Sequence, residues 1–269
     1  MIRKTVRRAL EKELEGADKA ERRLAREALR ESRTTDWKGK LEEKVPPKVY
    51  AALESAFCKA FTLVFQKGTG LIEKSYNREK LQQAYAARDQ AVWVKRDRQA
   101  LGQFRGKSRA ANARDLLLTT AEGVGLGVLG VGLPDIVLFV SLLLKGIYET
   151  ALRYGFDYDP PGERLLILKM MEASLARGTR WQSLNQEVEH RLTEKPPEPT
   201  QEELEGQIRQ TAQAFAMDML VLKFVQGLPL VGVLGGAGNP VYYRRVMKYV
   251  QLKYHRRYLN QRKKGIRTP

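Results

Sequence analysis

The sequence offers few residues whose type and spacing could support catalysis. Residues 125–130 read Gly-x-Gly-x-x-Gly, but a dinucleotide-binding loop needs a preceding strand and a helix whose amide groups meet a pyrophosphate. Here the flanking patterns are helical, and Pro134 follows at once. His190 and His255 have no cysteine or second histidine at zinc-ligand spacing. We therefore expect no enzyme activity, no cofactor and no metal.

Two carboxylates lie in apolar sequence and need a physical explanation. Burying an unpaired charge costs several kcal/mol. Asp135 follows Pro134, which predicts a position in the first turn of a helix, near the positive end of the helix dipole. Asp218 is expected to pair with a basic residue of the C-terminal helix. We favour structural over catalytic roles for both.

The C-terminal helix predicted at 241–264 combines aromatic rings with cations. Residues 241–269 contain ten Lys or Arg and no acidic residue. Such a basic amphipathic helix suits an anionic lipid surface, and it equally suits a phosphate backbone. The alternative is that its tyrosine stripe is core and its cations form a solvated face. The candidate residues for anionic lipid or phosphate binding are Arg244, Arg245, Lys248, Lys253, Arg256, Arg257 and Arg262. The apolar stripe consists of Tyr243, Met247, Val250, Tyr254 and Tyr258.

The elements that would position these residues are predicted to be helices throughout. The 269 residues carry a net charge of +17, and no stretch alternates with the period of two that a strand requires. Residues 2–32 have a thin apolar stripe on a charged helix, which indicates an arm over 1–45. The helix opening at Pro46-Pro47 is more strongly amphipathic and should dock on the core. Asp159-Pro160 predicts one further helix start, and Thr200-x-x-Glu203 predicts a capping box.

Two glycine-rich apolar segments, 121–135 and 224–240, are expected to pack against one another. Their glycines permit close backbone approach. The insertion energies of 123–144 and 214–238 do not favour crossing a bilayer, because charged residues and glycines offset the apolar gain. We predict no transmembrane helix, and a re-entrant hairpin in one leaflet remains the alternative. The apolar run at 136–155 is interpreted as a buried central helix.

The string GVGLPDIVLFVSLLLKGIYETALRYGFDYD and the later LKFVQGLPLVGVLGGAGNPVYYRRVMKYVQ resemble the EcsC family of bacterial proteins over roughly 109–260. The resemblance implies a mostly helical cytoplasmic protein with no established enzyme activity. It also implies a link to an ATP-binding-cassette transporter and protein secretion, because the family's operon encodes such a transporter. We expect three parts, namely the charged helical arm at 1–45, to which the resemblance does not extend, an EcsC-like domain at 46–265 and a tail at 266–269. The motif positions, without an assigned role, are Pro134, Asp135, Gly155, Phe156, Asp157 and Asn239.

The remaining expectations concern location and partners. The single Cys58 fits a reducing compartment, and the charged N-terminus lacks the apolar segment of a signal peptide. We expect a cytoplasmic, all-α protein, peripherally associated with the inner membrane face through anionic lipids, with a transporter or secretion complex as a further partner. The alternative is a nucleic-acid-binding protein that uses basic patches at 95–114 and 241–264.

Overall fold

The computed structural model describes residues 2–33, 47–65, 69–95, 101, 133–194, 196–225 and 239–267 of the 269. Within these ranges the chain is all-α and contains no strand, as its sequence predicted. The helices are α1 (Ile2–Arg33), α2 (Pro47–Leu63), α3 (Thr69–Glu73), α4 (Arg78–Lys95), α5 (Leu133–Arg153), α6 (Pro161–Leu175), α7 (Gly178–Thr193), α8 (Gln201–Val225) and α9 (Asn239–Arg267).

Helix α5 is the centre of one half of the bundle. It packs against α2, α3, α4 and α9, and Val140, Leu143 and Ile147 have no exposed surface. A helix that is apolar on nearly all sides needs neighbours on all sides. The prediction that 136–155 forms a buried central helix is therefore confirmed.

Helix α8 packs on α2, which belongs to this half of the bundle, and also on α6. Phe215 of α8 contacts Phe57 and Phe61 of α2, with ring centroids 5.6 Å and 5.7 Å apart. Both α2 rings are fully buried, so the predicted docking of this amphipathic helix is confirmed. Aromatic contacts of this kind add to the stabilisation that burial itself supplies.

The two predicted helix starts have different outcomes. At α8 the Glu203 amide donates to the Thr200 hydroxyl (3.2 Å), and the Thr200 amide donates to the Glu203 carboxylate (2.8 Å), which confirms the capping box. Helix α6 begins at Pro161 with Pro160 as its N-cap residue, so the predicted start with Asp159 as N-cap is wrong by one residue. The Asp159 carboxylate instead accepts a hydrogen bond from Arg78 at 2.7 Å.

Helix α1, within the segment predicted as an arm, lies along the outside of the bundle against α7 and α9. Over residues 6–30, where the side chains of this helix are described, its buried apolar residues are few and small. They are Val6, Leu10, Ala17 and Ala28.

Several predicted features lie outside the described residues: most of the two glycine-rich segments at 121–135 and 224–240, and nearly all of the basic patch at 95–114. Among the helices that the structure does describe, none has the length and hydrophobicity needed to span a bilayer.

Candidate functional site

All seven candidate cations lie on α9, which packs against α1, α5 and α6. The apolar stripe predicted for this helix faces the core, since its tyrosines at 243, 254 and 258 are at most 2% exposed. The cations therefore flank a buried stripe, and their positions around the helix decide whether they reach solvent or a neighbouring helix.

Arg257 is directed to a carboxylate of α6. It donates to both oxygens of Glu163, at 2.9 Å and 2.7 Å, and its guanidinium lies 4.1 Å from the ring centroid of Phe156. Glu163 is buried and also accepts a hydrogen bond from the Tyr254 hydroxyl at 2.7 Å. Burial, together with the negative charge and hydrogen bond of Glu163, raises the pKa of Tyr254. Arg257 thus completes a closed polar cluster.

Arg245 belongs to a second cluster, centred on Asp218 of α8. Asp218 lies 3.3 Å from Arg245 and 3.1 Å from Arg177, and Arg245 also donates to the Leu175 carbonyl at 3.2 Å. The prediction that Asp218 pairs with a basic residue of the C-terminal helix is confirmed. Burial lowers the pKa of Arg177, with the nearby Arg245 charge adding to the effect.

Arg262 connects α9 to α4. It lies 2.8 Å from the Asp89 carboxylate and 2.7 Å from the Tyr85 hydroxyl. Asp89 also accepts a hydrogen bond from the Tyr258 hydroxyl at 2.9 Å, so one carboxylate contacts two side chains of α9.

Lys253 and Arg256 lie between α1 and α7. Lys253 has no exposed side-chain surface and contacts Glu21 of α1 at 2.8 Å and Glu189 of α7 at 2.6 Å. Arg256 pairs with the same two carboxylates and with Asp18. Desolvation lowers the pKa of Lys253, and the charge of Glu189 opposes that effect.

Six of the seven candidate cations are therefore paired with carboxylates of other helices, and five of these six keep about a quarter of their side-chain surface or less in solvent, so these five do not form one open basic face along α9. A lysine or arginine beside a buried helix surface is stabilised by a partner that offsets its desolvation. The five are Arg245, Lys253, Arg256, Arg257 and Arg262.

Arg244 and Lys248 are the two candidates that are exposed. Lys248 keeps about half of its side-chain surface in solvent (52%) and lies 2.7 Å from the similarly exposed Glu27 of α1. A surface ion pair of this kind contributes little, on the order of 0–1 kcal/mol. Both cations remain accessible to an external anion.

These two cations line a groove of about 320 Å³ where α1, α7 and α9 meet. Its apolar wall is formed by Leu24, Ala28, Trp181 and Val241. Val241 is 44% exposed. Exposed basic residues occupy the same stretch of α1, namely Lys19, Arg22, Arg23, Arg26 and Arg30. These α1 cations lie on the outer side of that helix, and we call the groove with Arg244, Lys248 and Val241 the basic groove.

Sequence reasoning missed the contribution of α1, although a signal was present. The apolar stripe of α1 has the helical spacing of residues 10, 14, 17, 24 and 28, and glutamates occupy positions 13 and 21 within that stripe. A carboxylate on the apolar side of a helix indicates a buried partner. The partners are His255 for Glu13 and the Lys253–Arg256 pair for Glu21.

The described motif positions of the α5–α6 loop form a structural junction. Gly155 has a φ of +80°, and a Cβ there would collide with the Tyr85 ring. Phe156 packs against Tyr254 with ring centroids 5.6 Å apart. Asp157 accepts a hydrogen bond from Arg78 of α4 at 2.7 Å. The loop thus connects α4, α6 and α9.

The other motif positions lie at helix starts. Pro134 and Asp135 are in the first turn of α5, as predicted, and Asn239 begins α9. Their side chains lie outside the described part of the structure.

Comparison with known proteins gives one family and one relative. The model of the EcsC protein family matches residues 10–259. Protein EcsC of Bacillus subtilis (strain 168) is 29% identical over 125 residues, which cover 45% of this chain and 50% of that protein. The chain thus spans about half the length of the curated relative that it matches. No solved structure matches the chain.

Proposed function

This chain belongs to the EcsC protein family, as its sequence predicted, and we propose that it is a non-catalytic protein that binds the anionic surface of the inner membrane from the cytoplasmic side. The observation that carries the proposal is the basic groove. There, the exposed apolar residue Val241 lies beside the exposed cations Arg244 and Lys248 of α9. This combination suits the boundary between lipid headgroups and acyl chains.

The charge around the groove supports attachment to anionic lipids. Each Lys or Arg near the headgroups contributes about 1 kcal/mol, and stable attachment needs several of them together. Arg244 and Lys248 on α9 supply two, and the exposed basic residues of α1 supply more. The shallow apolar contribution of Val241 adds to this electrostatic attraction.

A non-catalytic role is supported by the partners of the conspicuous carboxylates. Asp218 lies between Arg177 and Arg245, and Asp157 is paired with Arg78. These contacts hold helices together, which is the structural role that a charge in apolar surroundings requires. We also propose that the membrane-bound protein acts beside an ABC transporter or secretion complex, as the family resemblance implies.

Liposome flotation tests the proposal. The full chain should float with vesicles that contain phosphatidylglycerol and should stay behind with vesicles of pure phosphatidylcholine. Added salt should release it, because exposed charges are screened beyond about 10 Å at 0.1 M. Tight, salt-sensitive binding to DNA or RNA without vesicle retention would instead identify the nucleic-acid alternative and overturn the proposal.

A further inference from the structure

Helices α1 and α9 run antiparallel and are joined by a ladder of opposite charges. Carboxylates of α1 meet cations of α9 in reverse order along the chain, so rising numbers on α1 correspond to falling numbers on α9. The pairs, with their N–O distances, are Asp18 with Arg256 (3.2 Å), Glu21 with Lys253 (2.8 Å) and Glu27 with Lys248 (2.7 Å). The carboxylates of α1 thus occupy positions where phosphates could contact α9.

The apolar part of this contact is thin. Among the side chains of α1 that the structure describes, two of the four buried apolar ones are alanines, whereas α2 buries Phe57 and Phe61 in the centre of the bundle. Among the described helices, α1 has substantial contact only with α7 and α9. Charge pairs therefore add to its attachment, and competing anions weaken the exposed ones, such as Lys248 with Glu27.

The side of α9 that α1 covers has the composition of a membrane-binding helix. Lys248, Lys253 and Arg256 lie on one side of the helix at 100° per residue, and Tyr249 lies between them. Lys253 is fully buried and Arg256 keeps only 19% of its side-chain surface. Without α1, Glu189 of α7 would be the remaining carboxylate among the described partners of Lys253 and Arg256, and Lys248 would lose Glu27. The uncovered side would therefore stay positively charged.

We propose that this side of α9 is a latent binding face for an anionic bilayer, and that α1 is the segment that covers it. The inference rests on the proposed function and extends it to a second site. The outer surface of α1 is itself basic at Arg22, Arg23 and Arg26. An anionic bilayer therefore attracts both the outer face of α1 and the inner face of α9, while the carboxylates between them are released to water.

The first test uses charge reversal on α1 with a matched control. Glu21→Lys removes the carboxylate shared by Lys253 and Arg256 and repels both. Glu15→Lys makes the same charge change at an exposed residue of the same helix. We expect Glu21→Lys to bind vesicles containing phosphatidylglycerol about tenfold more tightly than Glu15→Lys, because additional cations reach the headgroups. Equal affinities of the two variants would overturn the inference.

The second test keeps the charges unchanged and measures uncovering directly. In a Cys58→Ser background, Ala17→Cys places a thiol on the buried side of α1, and Ala173→Cys places one in the core of α6. Phosphatidylglycerol vesicles should speed thiol labelling at position 17 about tenfold and leave position 173 protected, which excludes general unfolding. If the protein binds vesicles while the thiol at position 17 stays protected from labelling, this inference alone is overturned. If neither the wild type nor Glu21→Lys binds vesicles, the proposed function is overturned as well.

Discussion

The Nζ atom of Lys253 lies 2.8 Å from the Glu21 carboxylate, although the two residues are 232 positions apart in the chain. The lysine side chain is completely buried between α1 and α7. A charge without solvent is stabilised only by close opposite charge and hydrogen bonds, which Glu21 and Glu189 provide. Part of the strong basic character of the C-terminal helix is thus directed inward and attaches other helices.

The Glu163–Arg257 pair is the contact of this kind in which a single loss should be most damaging. Glu163→Gln should lower the free energy of unfolding by about 3 kcal/mol, because Arg257 loses a bidentate partner in a largely buried site. Urea unfolding followed by circular dichroism measures the change. The matched control is Glu202→Gln, at an exposed position of α8, which should shift stability by less than about 0.5 kcal/mol. Equal stabilities of the two variants would contradict the structural role.

Gly155→Ala tests the junction between α4 and the α5–α6 loop. The backbone at Gly155 is in the left-handed region, and a methyl group would collide with the Tyr85 ring. We expect a loss of about 1–3 kcal/mol from backbone strain, with displacement of Tyr85 adding to it. Gly206→Ala is the control, because nothing lies within 4 Å of a Cβ there. In the helix interior that change should stabilise by about 0.5–1 kcal/mol. Effects of the same sign would refute the argument.

The fold could be predicted in large part from local patterns. The periodicity at 243, 247, 250, 254 and 258 identified the buried side of α9, and the Thr200–Glu203 capping box identified the start of α8. These features depend on residues within a few turns of one another. The candidate site could be predicted only in part, because the partner of each cation comes from a distant helix. Arg257 and Glu163 are 94 positions apart, and no local spacing relates them.

Alkaline pH should destabilise the protein through its buried tyrosines. Burial raises the pKa of Tyr76 from 10.0 to about 12. Burial, followed by the hydrogen bond to Glu73, raises the pKa of Tyr158. Between pH 10 and 12 the unfolded chain loses phenolic protons that the folded state retains, so the unfolded state binds fewer protons and stability falls as pH rises.

The urea midpoint should therefore decrease steadily over this pH range. Phenolate absorbance provides the independent readout, since at a given pH the folded protein should contain fewer ionised tyrosines than the protein in concentrated urea. A midpoint that stays constant while the folded tyrosines ionise together with the unfolded ones would contradict the shifted pKa values.

The basic groove is tested by neutralising its two exposed α9 cations. Arg244→Gln combined with Lys248→Gln should weaken binding to phosphatidylglycerol vesicles about thirtyfold, because two charges near the headgroups are lost at about 1 kcal/mol each. Stability should change little, since both side chains are exposed and the Lys248–Glu27 pair is a surface contact. The matched control is Lys59→Gln combined with Lys80→Gln, which removes the same charge from exposed positions of α2 and α4. If both double variants lose affinity equally, net charge rather than the groove determines binding.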